Sequence, residues 1–328
     1  SEDGLQAIHV HNYNNFSIAA DQLLLERFRD TDGEANCIVP GSAANPAPTL
    51  TDQAWYLACS GGNGLNGSVG AYRDIGLQLF NTFKIADGPG AYPWEVSYAF
   101  MVGNGNGIAR GDNDDNRETY YYLSAGQVFG GKGPRRQDWK VYAWLQDGKR
   151  TILDTTNSAP GPFSVPDPTT FAVREFDRER WGVGGTYRKG KYRLYGEYIV
   201  ADGMILNASD GGAVGGAFSN NGQAVSTFNT LTDNEAKGWY LDAGYKVLPN
   251  LELDVRYDEL ERGTEGAADI QRDFERWTIG AQYFFNKKSR FTLNYEFRDT
   301  EAPGGNATQK SIVSGTDDVL TAQVLIIF

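Results

Sequence analysis

From Leu251 to Asp258 every second residue is ionisable. Leu251, Leu253, Val255 and Tyr257 alternate with Glu252, Asp254, Arg256 and Asp258. Successive side chains of a β-strand point to opposite faces of its sheet, so this stretch has one apolar face and one fully charged face. Trp277, Ile279, Ala281, Tyr283 and Phe285 alternate in the same way with Arg276, Thr278, Gly280, Gln282 and Phe284. Phe291, Leu293, Tyr295 and Phe297 alternate with Thr292, Asn294, Glu296 and Arg298.

The pattern extends upstream to Trp94. Trp94, Val96, Tyr98, Phe100 and Val102 share a face opposite Glu95, Ser97 and Ala99, and Trp139, Val141, Ala143 and Leu145 share one opposite Lys140, Tyr142, Trp144 and Gln146. Trp181, Val183 and Tyr187 oppose Thr186 and Arg188; Tyr192, Leu194 and Tyr198 oppose Arg193 and Glu197; Trp239, Leu241, Ala243, Tyr245 and Val247 oppose Asp242 and Lys246. A soluble antiparallel sheet with one wet face alternates too. Two features favour a lipid-facing sheet: aromatic residues gather at the ends of the apolar rows, and the pattern runs on without a helix.

Composition agrees. The 328 residues include 40 Gly, 18 Tyr, 17 Phe and 7 Trp, the balance that glycine-rich turns and aromatic girdles produce. A mean hydropathy of -0.47 is compatible, because only every second strand residue has to be apolar. No run of about 18 apolar residues is present, which excludes a transmembrane helix. A net charge of -12 argues against a nucleic-acid partner. Cys37 and Cys59 lie in one stretch rich in Gly, Asn, Ala and Pro, where a disulfide is expected in an oxidising compartment. The expected fold is all-β, a transmembrane antiparallel β-barrel forming a single domain over 1–328.

Connections alternate in length. Lys189 to Lys191, Leu248 to Asn250 and Asn286 to Arg290 are short, as periplasmic turns are, and long external loops are expected near 28–67, 105–117, 150–176, 203–236, 259–273 and 299–318. The final strand runs to Phe328, with Ile326 and Val324 on its apolar face, and serves as the expected assembly signal. Counting back, strands end near Phe328, Arg298, Phe285, Asp258, Val247, Asp202, Arg188, Lys149, Gly130, Asn104, Lys84 and Arg27, with an earlier one at Leu5 to His11. That gives about thirteen, an odd number for a bacterial barrel, so a further N-terminal strand is expected upstream.

Three stretches carry a family resemblance. Arg73, Asp74, Ile75, Gly76, Leu77, Gln78 and Leu79 lead into the Trp94 strand, its exit Asn104, Gly105, Asn106, Gly107, and then Asp112, Asn113, Asp115 and Asn116. Gly238, Trp239 and Tyr240 precede Gly244, Tyr245, Leu248, Pro249, Asn250, Leu251, Glu252, Arg256, Tyr257 and Asp258. Thr278, Ile279, Gly280, Tyr283 and Phe284 lead through Asn294, Tyr295 and Glu296 to the last strand. Over roughly 70–328 the chain resembles the phosphate-selective porin O and P family, with weaker support from Phe16 to Phe28. The resemblance implies a barrel of about 16 strands when complete, with 14 the alternative, assembled as a homotrimer in the outer membrane among lipid and lipopolysaccharide.

The alternation turns Lys84, Lys140, Arg180, Arg188, Arg193, Lys246, Arg256, Arg276 and Arg298 inward, together with Glu95, Glu197, Asp242, Glu252, Asp254, Asp258 and Glu296. These are the expected pore-lining residues. Their signs nearly balance on the same strands, which suits cross-strand pairing better than an arginine ladder for phosphate. A constriction is expected from a long loop: 202–233, 150–176 with Lys149, Arg150 and Arg174, or 28–67. Asp112, Asp114 and Asp115 are weak metal candidates lacking a calcium-loop pattern, and His9 and His11 fit a strand rim. No catalytic set stands out with only these two histidines, and no cofactor is expected. The expectation is a non-enzymatic porin for small hydrophilic solutes or ions. A sheath or scaffold for a periplasmic electron-transfer or export complex is the alternative.

Overall fold

The computed structural model describes residues 74–85, 92–105, 115–131, 136–154, 172–207, 229–266, 268–286 and 289–326. Eleven strands form one antiparallel sheet: β1 (Gly76–Ile85), β2 (Trp94–Gly103), β3 (Glu118–Gly130), β4 (Gln137–Asp154), β5 (Ala172–Lys189), β6 (Tyr192–Asp202), β9 (Glu235–Leu248), β10 (Leu251–Arg262), β11 (Arg272–Phe284), β12 (Arg290–Glu301) and β13 (Val319–Leu325). Sequence neighbours pair throughout, except that β6 pairs β9 across a two-stranded hairpin of β7 (Ile205–Asn207) and β8 (Asn229–Leu231). These are the strands expected to end near Lys84 and beyond. The two strands expected before them, at Leu5 to His11 and near Arg27, lie outside the described residues, as do His9, His11, Cys37, Cys59, Asp112, Asp114 and Phe328.

The sheet is inverted relative to a soluble one. Leu253, Val255, Trp277, Ile279, Leu293 and Tyr295 are exposed, whereas Glu252, Asp254, Arg256, Asp258, Glu296 and Asn294 between them are buried. A single sheet that buries its own charged face is curled toward that face. Side chains two strands apart meet there, as the ion pairs below show. We call it the inner face.

Two aromatic girdles bound the apolar outer face. At one level the Trp239 and Tyr257 rings lie 5.1 Å apart and the Tyr257 and Trp277 rings 4.8 Å apart. At the other, Trp94 meets Trp139 at 5.3 Å and Tyr192 meets Tyr245 at 5.3 Å. Between them the outer row of β10, Leu251 to Tyr257, spans about 20 Å at the usual rise of a strand, close to the apolar band of a membrane barrel.

Beyond Tyr257 both faces change character. On the outer face come Glu259 and Glu261, opposite Glu275 and Asp273. The inner face gains a buried apolar cluster of Leu260, Phe274, Ile199, Ala201 and Ala236, with the buried side chains of Arg180, Arg262 and Arg272 beside it. This exchange explains where the expected loop bounds differ. β10 continues to Arg262 rather than ending at Asp258, β12 runs to Glu301 and β11 begins at Arg272, while β4 and β5 take 150–154 and 172–176 from the 150–176 loop. The backbone ladder outlasts the apolar row because above the bilayer the outward side chains meet water. A short helix stands between β12 and β13. α1 (Ala307–Val313) starts at Asn306, whose side chain accepts the Gln309 N–H while the Gln309 side chain accepts the Asn306 N–H.

At the external end of β1, Asp74 accepts the N–H groups of Ile75 and Gly105 and the Tyr120 hydroxyl. Burial pushes its carboxyl above the ordinary range, against the lowering effect of those donors.

If the bilayer boundary lies between Tyr257 and Glu259, charge tolerance changes over four residues. Val255→Arg is expected to cost about 2–4 kcal/mol and Glu259→Arg about 0–1 kcal/mol, read by urea unfolding in lipid vesicles.

Candidate functional site

The inner face presents one residue from each strand at a common level. From β1 to β12, neighbours in register are Thr82, Ser97, Ser124, Tyr142, Gly184, Glu197, Tyr240, Asp258, Arg276 and Arg298. Across the sheet the belt passes from hydroxyls, through aromatic rings and one carboxylate, to an ionic half.

That ionic half is a connected network. Arg193 on β6 bridges three carboxylates: Nε donates to Glu252 at 2.8 Å, and Nη1 and Nη2 contact Asp242 and Asp254. Arg256 donates to Asp258 at 2.8 Å, and Arg276 lies 3.5 Å from Asp258 and 3.1 Å from Glu296. Arg298 closes the series on Glu296 at 2.7 Å. On the other side, Arg178 pairs with Glu118 at 2.7 Å, while Glu95 takes Lys84 at 3.2 Å and also Arg136. Burying such charges costs several kcal/mol per ion unless each is paired and hydrogen-bonded, so pairing is the condition for a charged inner face at all.

Several of these contacts jump a strand, and glycine makes the jump possible. Arg193 reaches β10 by passing over β9 at Gly244. A Cβ there would stand 2.6 Å from the Arg193 guanidinium and from the Glu252 and Asp254 carboxylates. The Trp144 indole crosses β5 over Gly182, 2.6 Å from where a Cβ would be, and its Nε1 donates to Glu197 on β6 at 2.9 Å.

The remaining expected inner residues hold rings or backbone. Lys140 sits over Tyr142 at 5.9 Å, Arg188 over Tyr195 at 6.0 Å, and Lys246 over Phe284 at 5.6 Å. Arg180 is buried and donates to the carbonyls of Glu179, Asp202, Gly203 and Met204 at 2.7–3.0 Å. It thereby fixes the entry to the β7–β8 hairpin, where Met204 has a φ of 53°. A methionine in that left-handed region costs about 1–3 kcal/mol, which the fan of hydrogen bonds offsets. The base is closed by Gly203 N–H to Asn234 and Met204 N–H to Thr232. Ile205 and Leu231 then pack with Ile199, Ala201, Leu260 and Phe274, so the hairpin docks on the inner face.

All sixteen charged residues read as inward from sequence stand on this face. Sequence reasoning passed over Glu118 at the start of β3, Arg136 just before β4 and Arg178 within β5. It placed Tyr142 and Trp144 inward but weighed only charge; the alternation alone already marked both rings as inner. Of the weak metal candidates only Asp115 is described, and among the described residues no group of three His, Cys, Asp or Glu side chains is close enough to hold a metal ion.

An all-β antiparallel sheet with lipid-facing apolar rows, two aromatic girdles and a polar inner face is the wall of an outer-membrane β-barrel. Among the described residues its free edges are β1 and β13. No protein-family model matches the chain, and no curated protein matches it. Similar solved structures include a porin at 13% identity and a TM-score of 0.39, covering 76% of this chain and 60% of its own. OmpF of Salmonella typhi in complex with daunomycin is 16% identical with a TM-score of 0.40, over 75% and 60% respectively. Outer-membrane expressed OmpT of Vibrio cholerae is 15% identical with a TM-score of 0.37, over 74% and 61%. The chain thus spans about three fifths of the length of these structures.

Arg193→Ala leaves three carboxylates facing one another and is expected to cost about 3–5 kcal/mol in equilibrium unfolding. Adding Asp242→Asn and Asp254→Asn to that variant is expected to restore part of the loss, because the stranded charges are then gone.

Proposed function

We propose that the chain is the wall of an outer-membrane porin through which small hydrophilic solutes or ions diffuse passively. The observation that carries this reading is the hairpin docked inside the curled sheet. Arg180 and the Ile205 contacts hold a piece of the long β6–β9 connection on the inner face, where it narrows whatever passage the sheet encloses. Of the loops weighed from sequence, this one has a described attachment to the inner face.

The inner-face charges support weak selectivity. Arg193, Arg256 and Arg276 are tied to carboxylates and present no free cationic ladder to an anion. Phosphate selectivity is the narrower form of the reading; the family resemblance favours it and this pairing opposes it. Homotrimeric assembly rests on the same resemblance, and the Cys37–Cys59 disulfide rests on the loop-like stretch that holds both thiols. The near-neutral, internally paired inner face also suits a sheath around a periplasmic electron-transfer or export partner. In that case the purified chain does not conduct.

Reconstitution in planar bilayers tests the porin reading. Steady single-channel conductance is expected, and replacing residues 205–231 by a short Gly-Ser link is expected to raise it severalfold. Unchanged conductance in a variant with intact heat-modifiable mobility would remove the hairpin from the constriction. No conductance in the unmodified chain would sink the porin itself.

A further inference from the structure

We propose that Glu197, with Tyr142, Trp144 and Tyr240 beside it, is a recognition site for an organic ammonium ion on the inner wall. The proposal deepens the porin reading by naming a class of solute, and it rests on that reading for access from the lumen.

Glu197 is the exception among the buried inner carboxylates described above. Each of the others in the ion-pair network has a guanidinium or ammonium beside it. Glu197 is 4% exposed, and no basic side chain among the described residues pairs with it. Its Oε1 accepts the Trp144 indole N–H at 2.9 Å and the Tyr142 hydroxyl also bonds to the carboxylate, but no cation among the described residues balances its charge. A buried carboxylate of this kind either takes a proton or takes a cation.

The surroundings select the type of cation. Glu197 stands in register between Gly184 on β5 and Tyr240 on β9. The Tyr142 hydroxyl lies over Gly184, 2.5 Å from where a Cβ would be, so a ring reaches the carboxylate from each side. Hard metal ions want six or more oxygen ligands, which one carboxylate among rings does not supply. An anion is repelled. A weakly hydrated alkylammonium or arylalkylammonium ion gains from the carboxylate charge and gives up little hydration to sit among these rings. Ile199, two residues further along the same face of β6, packs in the cluster that includes Ile205 of the hairpin. The site therefore lies immediately below the constriction, where an occupant obstructs passage.

The test uses the full chain, with phenethylammonium and choline chlorides as probes and sodium chloride at equal ionic strength as control. Two readouts are taken: block of potassium current in planar bilayers, and calorimetric binding to the folded protein in detergent. Glu197→Gln keeps the shape, removes an uncompensated charge and should fold at least as well as the parent. It is expected to raise the half-blocking and half-binding concentrations at least tenfold, and Trp144→Phe severalfold. Equal binding by parent and Glu197→Gln, or organic ammonium ions no better than sodium, overturns the proposal. A conducting channel without Glu197-dependent block overturns the site and leaves the porin. Glu197-dependent binding to a chain that does not conduct supports the site and overturns the channel.

Discussion

Turning leucine and tyrosine outward commits a sheet to gathering its charges within, and the whole inner face depends on how those charges are neutralised. Strand spacing of about 4.8 Å limits what neighbouring side chains can do, because each meets only its cross-strand partner. The structure extends that reach with glycine. At Gly244 the Arg193 guanidinium crosses a whole strand to collect carboxylates from β10, and at Gly182 the Trp144 indole crosses to Glu197. Each missing side chain lets one long neighbour serve two strands.

The fold was largely legible in the sequence because period-2 alternation is a local signal. Glu252, Asp254 and Arg256 state their face without reference to any other part of the chain. The upper ends of the strands were less legible. At Glu259 the outer row turns from apolar to charged while the backbone ladder continues, so a reading based on side chains stops three or four residues early. The contacts of the site were the least visible. Which carboxylates Arg193 reaches depends on the register of β6, β9 and β10 together, and the unpaired state of Glu197 follows only once every other inner acid has its base. The capping box at Asn306 and Gln309 was readable in principle, yet a seven-residue helix within a loop leaves no periodicity to detect.

The exchange of chemistry above the girdle links fold to function. Where the outer face leaves lipid and takes up acids, the inner face carries the apolar bed of Leu260, Phe274 and Ile199 on which the hairpin rests, with Arg180, Arg262 and Arg272 buried beside it. One level of the sheet thus marks both the edge of the membrane and the seat of the hairpin. Below it the belt divides into an aromatic half with a single acid and an ionic half that is internally balanced.

The central claim is that the exposed apolar rows face lipid and the buried charged rows face inward. It is tested most directly by scanning single fluorophore-labelled cysteines from 251 to 261 in a Cys37→Ser, Cys59→Ser background, in vesicles containing lipid-attached quencher. The account predicts strong quenching at 251, 253, 255 and 257, weak quenching at the even positions, and weak quenching at 259 and 261 beyond the girdle. Quenching in the opposite phase, or none at any position, would contradict it.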